Sequence, residues 1–170
     1  MRVRDHIALS TTGAALVHPW LRNDALGLWA GSVLIDVDHY LWFCLRKRSW
    51  NPRAAVRFFN QARPPQHAAT RALHRPVASA VLMLAGLRRR ALFWTGLGML
   101  LHIALDLQHD ARMDKARIAA LERDAFTCQA CGARTQSVGT HLRPQPRLLP
   151  SYAVQNVIAL CDPCHEAAHA

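Results

Sequence analysis

Along the first 110 positions apolar residues gather in four runs, Ile7 to Leu21, Leu26 to Ile35, Val77 to Leu87 and Ala91 to Ile103, divided by charged or proline-bearing stretches such as Arg46 to Pro52. Runs of this length without strict alternation predict helices. None reaches the roughly 18 unbroken apolar residues of a clean membrane-spanning helix, so a helical bundle or an interfacial arrangement is expected. A charged run rich in Ala, Arg, Lys and Glu then leads to Arg123, and the last third is short of apolar residues but dense in Cys and His. The expected organisation is mainly α: a helical domain over 1–110, a linking helix over 111–123 and a small domain over 124–170.

Polar residues inside the apolar runs carry the first chemical signal. Asp36, Asp38 and His39 follow directly on Gly-Ser-Val-Leu-Ile, and His102 and Asp106 lie in Gly-Met-Leu-Leu-His-Ile-Ala-Leu-Asp. On a helix, positions 36 and 39, and likewise 102 and 106, share a face, so each segment can offer a nitrogen and a carboxylate oxygen to one ion. A carboxylate in an apolar setting is costly unless a metal or a cation compensates it.

The second signal is the pair of Cys-x-x-Cys motifs, Cys128 with Cys131 and Cys161 with Cys164. Two such knuckles present four sulfurs to one point, the donor set of a structural tetrahedral zinc. A segment this short cannot build a sufficient apolar core, and the ion would take its place. Thiolate ligands require reduced cysteines, which points to the cytoplasm and leaves Cys44 as a spare, buried thiol. Arg2 and Arg4 precede an apolar run, but Asp5 and His6 stand directly before it and no cleavage site follows, so a secretory signal is not expected.

Charge adds a partner class. The chain carries a formal net charge of +10, which suits nucleic acid, DNA first, or the anionic inner face of a membrane. Through Asp110 there are 14 Lys or Arg against 6 Asp and no Glu, and all five tryptophans; beyond it the balance is 7 against 5.

Two resemblances follow from the motifs. Leu-Glu-Arg-Asp-Ala-Phe-Thr-Cys, Thr140-His141-Leu142-Arg143-Pro144, Gln155-Asn156-Val157-Ile158-Ala159-Leu160-Cys161 and Cys164-His165 with His169 resemble the HNH nucleases. The resemblance implies a zinc-stapled ββα-metal domain that hydrolyses DNA phosphodiesters. His141 would be the general base, Asn156 would hold its loop, and His165 and His169 would bind a catalytic Mg²⁺ or other divalent ion. Arg143 and Arg147 would contact substrate. This chain departs from the family at Thr140, where a metal ligand normally stands.

Residues 1–110 resemble the predicted membrane-bound metal-dependent hydrolases of bacteria, through His6, Ile-Asp-Val-Asp-His at 35–39, His74-Arg75 and His102 with Asp106. The third motif, Leu-His-Arg-Pro-Val-Ala-Ser, lacks the family's glycine and second histidine. That resemblance implies a second metal site on His6, Asp36, Asp38, His39, His74, His102 and Asp106. The expected function is a metal-dependent HNH-type endonuclease. The alternatives are a membrane-associated hydrolase working at the N-terminal site, or a catalytically impaired zinc-dependent nucleic-acid-binding protein.

Overall fold

A computed structural model of the chain describes residues 3–59, 71–134, 138–143 and 151–169. The described chain is mainly helical, with one small sheet. The helices are α1 (Val3–Leu21), α2 (Asp24–Leu34), α3 (Val37–Lys47), α4 (Pro52–Phe59), α5 (Pro76–Ala85), α6 (Arg90–Arg123) and α7 (Asp162–Ala167); the strands are β1 (Val138–Leu142) and β2 (Val157–Cys161). The chain forms two compact units, one of Met1–Val56 with Pro65–Leu107 and the other of Arg57–Pro64 with Gln108–Ala170.

Three of the apolar runs become α1, α2 and α5, while the fourth merges with the charged segment after it into the 34-residue α6. By length and composition α6 is the one described helix long and apolar enough to cross a membrane.

In the first unit, small residues set the helix spacing. A Cβ on Gly31 would fall inside the Thr95 carbonyl group, and one on Gly98 inside the Leu28 carbonyl, so α2 and α6 touch backbone to backbone. The same closeness places the Ser32 carbonyl oxygen 2.7 Å from Nδ1 of His102, one turn beyond Gly98. Ser10 of α1 meets Ser32 of α2 at 2.6 Å between hydroxyls, and the Trp29 indole N–H donates to the Thr11 hydroxyl at 3.0 Å. The interior so formed is polar as well as apolar: His6, Ser10, Ser32, Asp38, Ser79 and His102 are buried with Ala25, Ile35, Phe43 and Met99. Many large apolar side chains lie outside it, among them Leu16, Trp20, Leu45, Val77, Leu84 and Leu87.

The second unit is built on the end of α6. Ala116 and Ala120 pack with Val157, with Leu142 and Val154 against them. The strands pair antiparallel, Val138 opposite Cys161 through Leu142 opposite Val157. Arg123 and Asp124 lock helix to sheet. The Arg123 guanidinium donates to both Asp124 carboxylate oxygens at 2.7 Å and to the carbonyls of Val154 and Val157 at 2.8 and 2.9 Å. The Ala159 N–H donates to Asp124 at 3.1 Å.

Candidate metal centres

The first unit gathers His6, Asp36, Asp38, His39, His74, His102 and Asp106, from α1, α3 and the residues around it, the stretch before α5, and α6, into one connected cluster. Its geometry follows from the interruption between α2 and α3. Ile35 and Asp36 form a turn, so Asp36 stands just ahead of α3 instead of inside a helix with His39. Asp36 then meets His74 and His102, whereas His39 pairs with Asp38.

Asp38 is saturated. It accepts the His39 backbone N–H at 2.7 Å, the Leu73 N–H at 2.9 Å, and contacts His39 Nδ1 at 2.7 Å and His74 Nδ1 at 3.4 Å. Burial opposes its charge, but these contacts hold its carboxyl well below the usual carboxylate range. Such a carboxylate is placed to orient imidazoles, and Asp38, His39 and His74 also bring three ligand atoms within 4.8 Å of one another.

His102 is the centre of the arrangement. Its Nδ1 faces the Ser32 carbonyl, which can only accept, so Nδ1 carries the hydrogen and Nε2 of the neutral ring carries the lone pair. That Nε2 is buried without a hydrogen bond, 3.3 Å from Asp106 Oδ2 and 3.7 Å from Asp36 Oδ1. Facing two carboxylates, that position calls for positive charge, either a proton on Nε2 or a metal ion among the three groups. His6 stacks on His102 with ring centres 4.0 Å apart and reaches Asp106 Oδ1 at 3.0 Å through Nε2. His74 Nε2 reaches Asp36 Oδ1 at 3.3 Å.

Burial works against charge on Asp36 and Asp106, yet neighbouring imidazoles keep both below the carboxylate norm, His74 first for Asp36 and His102 first for Asp106. Burial also disfavours a charged His74, but Asp36 and Asp38 overcome it and raise the ring to about 9. The cluster therefore demands positive charge, whether as protons or as metal. His6, His102 and Asp106, and again Asp36, His74 and His102, each bring three ligand atoms within 4.8 Å of one another.

The second unit holds two further groups. The sulfurs of Cys128, Cys131, Cys161 and Cys164 lie within 4.8 Å of one another, and Cys131 and Cys161 are 3.6 Å apart. Four thiolates on a tetrahedral zinc stand about 3.8 Å apart, so this cluster fits a metal such as zinc. Backbone N–H groups, that of Cys161 foremost, hold the Cys128 thiol down to about 6, while the thiols of Cys161, Cys131 and Cys128 push Cys164 up to about 12. Thiols crowded in this way favour a metal cation in place of their protons, which go to solvent.

His141, His165 and His169 form the other group, their ligand nitrogens within 4.8 Å of one another. Ring centres are 5.5 Å apart for His141 and His165, 4.8 Å for His141 and His169, and 4.9 Å for His165 and His169, whose Nε2 atoms approach to 3.2 Å. Two nitrogens on one ion at bond lengths of about 2.1 Å are separated by about 3.0 to 3.4 Å, which this pair matches.

Asn156 ends the 3-10 turn Val154–Asn156 before β2, and its carbonyl accepts the Arg143 N–H at 2.8 Å, extending the hairpin two residues past His141. The Arg143 side chain is exposed; Arg147 lies outside the described residues. The sequence patterns did not single out Ser32, whose carbonyl fixes the His102 ring; a backbone acceptor leaves no mark on residue type. Roles for Arg123 and Asp124 were also missed, although their place ahead of the first knuckle was visible.

Comparison with protein-family models, curated proteins and solved structures found no match.

Proposed function

We propose that the chain is a divalent-metal-dependent endonuclease of the HNH type, hydrolysing phosphodiester bonds of DNA. The observation that carries this reading is the convergence of His141, His165 and His169 between β1 and α7, on the same β2–α7 corner that supplies Cys161 and Cys164. An ion bound there supplies Lewis acidity toward a phosphoryl oxygen and a water acidic enough to act as nucleophile near neutral pH. His165 and His169 would hold it. Asn156 fixes the end of the β1 hairpin through its main chain, exposed Arg143 can meet phosphate, and the +10 formal charge favours a polyanion. Zinc-loaded protein incubated with supercoiled plasmid and Mg²⁺ or Mn²⁺ should nick it, and His165→Gln should lower the rate at least a hundredfold. Salt-sensitive DNA binding without nicking in any divalent metal would instead indicate a binding module.

A second reading is favoured by the seven-residue cluster of the first unit. There a metal-dependent hydrolase would hold its ion on His6, Asp36, His74, His102 and Asp106 and act on phosphoesters, including lipid-derived ones. The outward-facing Leu16, Trp20, Val77 and Leu84 support apposition to a membrane. Elemental analysis should find ions beyond one zinc per chain that vanish in Asp36→Ala, His102→Ala; an unchanged metal content would end this reading.

A further inference from the structure

We propose that His141 is itself a ligand of the ion at the β1/α7 site, so that the ion sits on His141, His165 and His169, and the residue ahead of it, Thr140, takes no part. This rests on reading the cluster as an ion site, but not on that ion being used to cut DNA.

The argument is one of strand parity. Successive side chains on a strand point to opposite faces. Leu142 packs against the α6 group of Ala116 and Ala120 with Val157, which fixes that face of β1 as the α6 side. Thr140 shares parity with Leu142 and so faces α6. His141 shares parity with Gly139, and a Cβ on Gly139 would lie 3.8 Å from His165 Nδ1, which fixes the other face as the α7 side. The antiparallel register, Thr140 opposite Ala159 and His141 opposite Ile158, continues without a bulge through Leu142 opposite Val157. No local twist therefore brings the hydroxyl of Thr140 round to α7. His165 lies on α7 and His169 in the turn just past its end, with their Nε2 atoms 3.2 Å apart, and the three rings stand at 4.8 to 5.5 Å from centre to centre. Three imidazoles on one side of an ion leave its remaining positions for water or a phosphate oxygen, the open arrangement of a working metal site. A residue expected to serve as base is thereby committed to the ion.

The test is binding, read separately from cleavage. Full-length protein already holding its zinc is titrated with Co²⁺ by calorimetry, with the d–d absorption recorded. The ion whose binding His165→Gln removes defines the β1/α7 site, whatever binds elsewhere. His141→Gln is expected to weaken that same ion at least tenfold and change its spectrum, as His169→Gln does, while Thr140→Ala leaves both unaltered. Zinc content checks that each variant is folded. If His141→Gln keeps the ion at wild-type affinity, or if Thr140→Ala weakens it, the assignment is overturned. Loss of the ion in His141→Gln from a protein that nicks no plasmid would keep the ligand assignment and remove the nuclease reading; nicking with an ion indifferent to position 141 would do the reverse.

Discussion

At the scale of single residues, the difference between binding an ion and orienting its ligands decides what a substitution does. Asp38 has its oxygens filled by His39, His74 and two backbone N–H groups, whereas Asp36 and Asp106 face Nε2 of His102. Asp38→Asn should therefore weaken, not abolish, ion binding in the first unit, by roughly ten- to a hundredfold. Asp106→Asn should abolish it. Isothermal titration of the two variants separates the roles, and equal losses would contradict them. Asp124 offers a pH test of a purely structural carboxylate. The Arg123 guanidinium beside it, helped by the Ala159 N–H and opposed by burial, holds its carboxyl below the usual range. A depressed folded-state value means the stabilisation is fully present above the unfolded value of about 3.9 and is lost as pH falls through the lower folded one. Asp124→Asn should thus be less stable than the wild type by about 1 to 3 kcal/mol at pH 7. The gap, measured by urea denaturation, should narrow below pH 4, and a gap that stays constant would refute the assignment. Residue types marked these positions as candidates. The partners did not show, because His6 and Asp106, bonded at 3.0 Å, stand 100 positions apart.

At the scale of elements, apolar runs foretold α1, α2 and α5 because each is bounded by charge or proline. The fusion of α6 was hidden by a change of character. Its first half is apolar nearly all round, while its second half buries only Met113, Ala116 and Ala120 at helical spacing. The two halves looked like separate elements, yet no Gly or Pro interrupts Met99 to Arg123, so nothing stops the helix. Conversely, the turn at Ile35 and Asp36 falls where no Gly or Pro stands, so residue types carry no sign of it. Two substitutions probe the elements. Gly31→Ala forces the backbones of α2 and α6 apart and should destabilise by about 1 to 3 kcal/mol. It should also weaken ion binding at His102, whose ring depends on that closeness. Ala125, at the end of α6, has a φ of 47°. Left-handed geometry disfavours alanine by roughly 1 kcal/mol, so Ala125→Gly should raise stability by about that amount, read as a higher denaturation midpoint.

At the scale of the whole chain, the two units are held together internally by different means, and this predicts how each responds to metal loss. The first unit buries helix faces against one another through close backbone contact, with a polar cluster inside. The second has little to bury: Ala116, Ala120 and Val157 form one small group, and Cys128, Leu160 and Cys161 another, so two of the latter group's three residues belong to the four-cysteine cluster. A core of that size supplies too little burial to fix two five-residue strands and a six-residue helix on its own. Removing zinc should therefore abolish the fold of the second unit beyond Arg123, because metal affinity there is folding free energy. A mercurial reagent that displaces thiolate-bound zinc should expose the amides of β1, β2 and α7 to hydrogen exchange while those of α1, α2 and α5 stay protected. EDTA at moderate concentration, stripping ions held by imidazole and carboxylate, should leave β1 and β2 protected. Persistence of strand protection after zinc release would mean that the Arg123–Asp124 lock and the α6 contacts suffice without the metal. Simultaneous loss of protection in α1 and α2 would mean that the helical unit is not stable by itself.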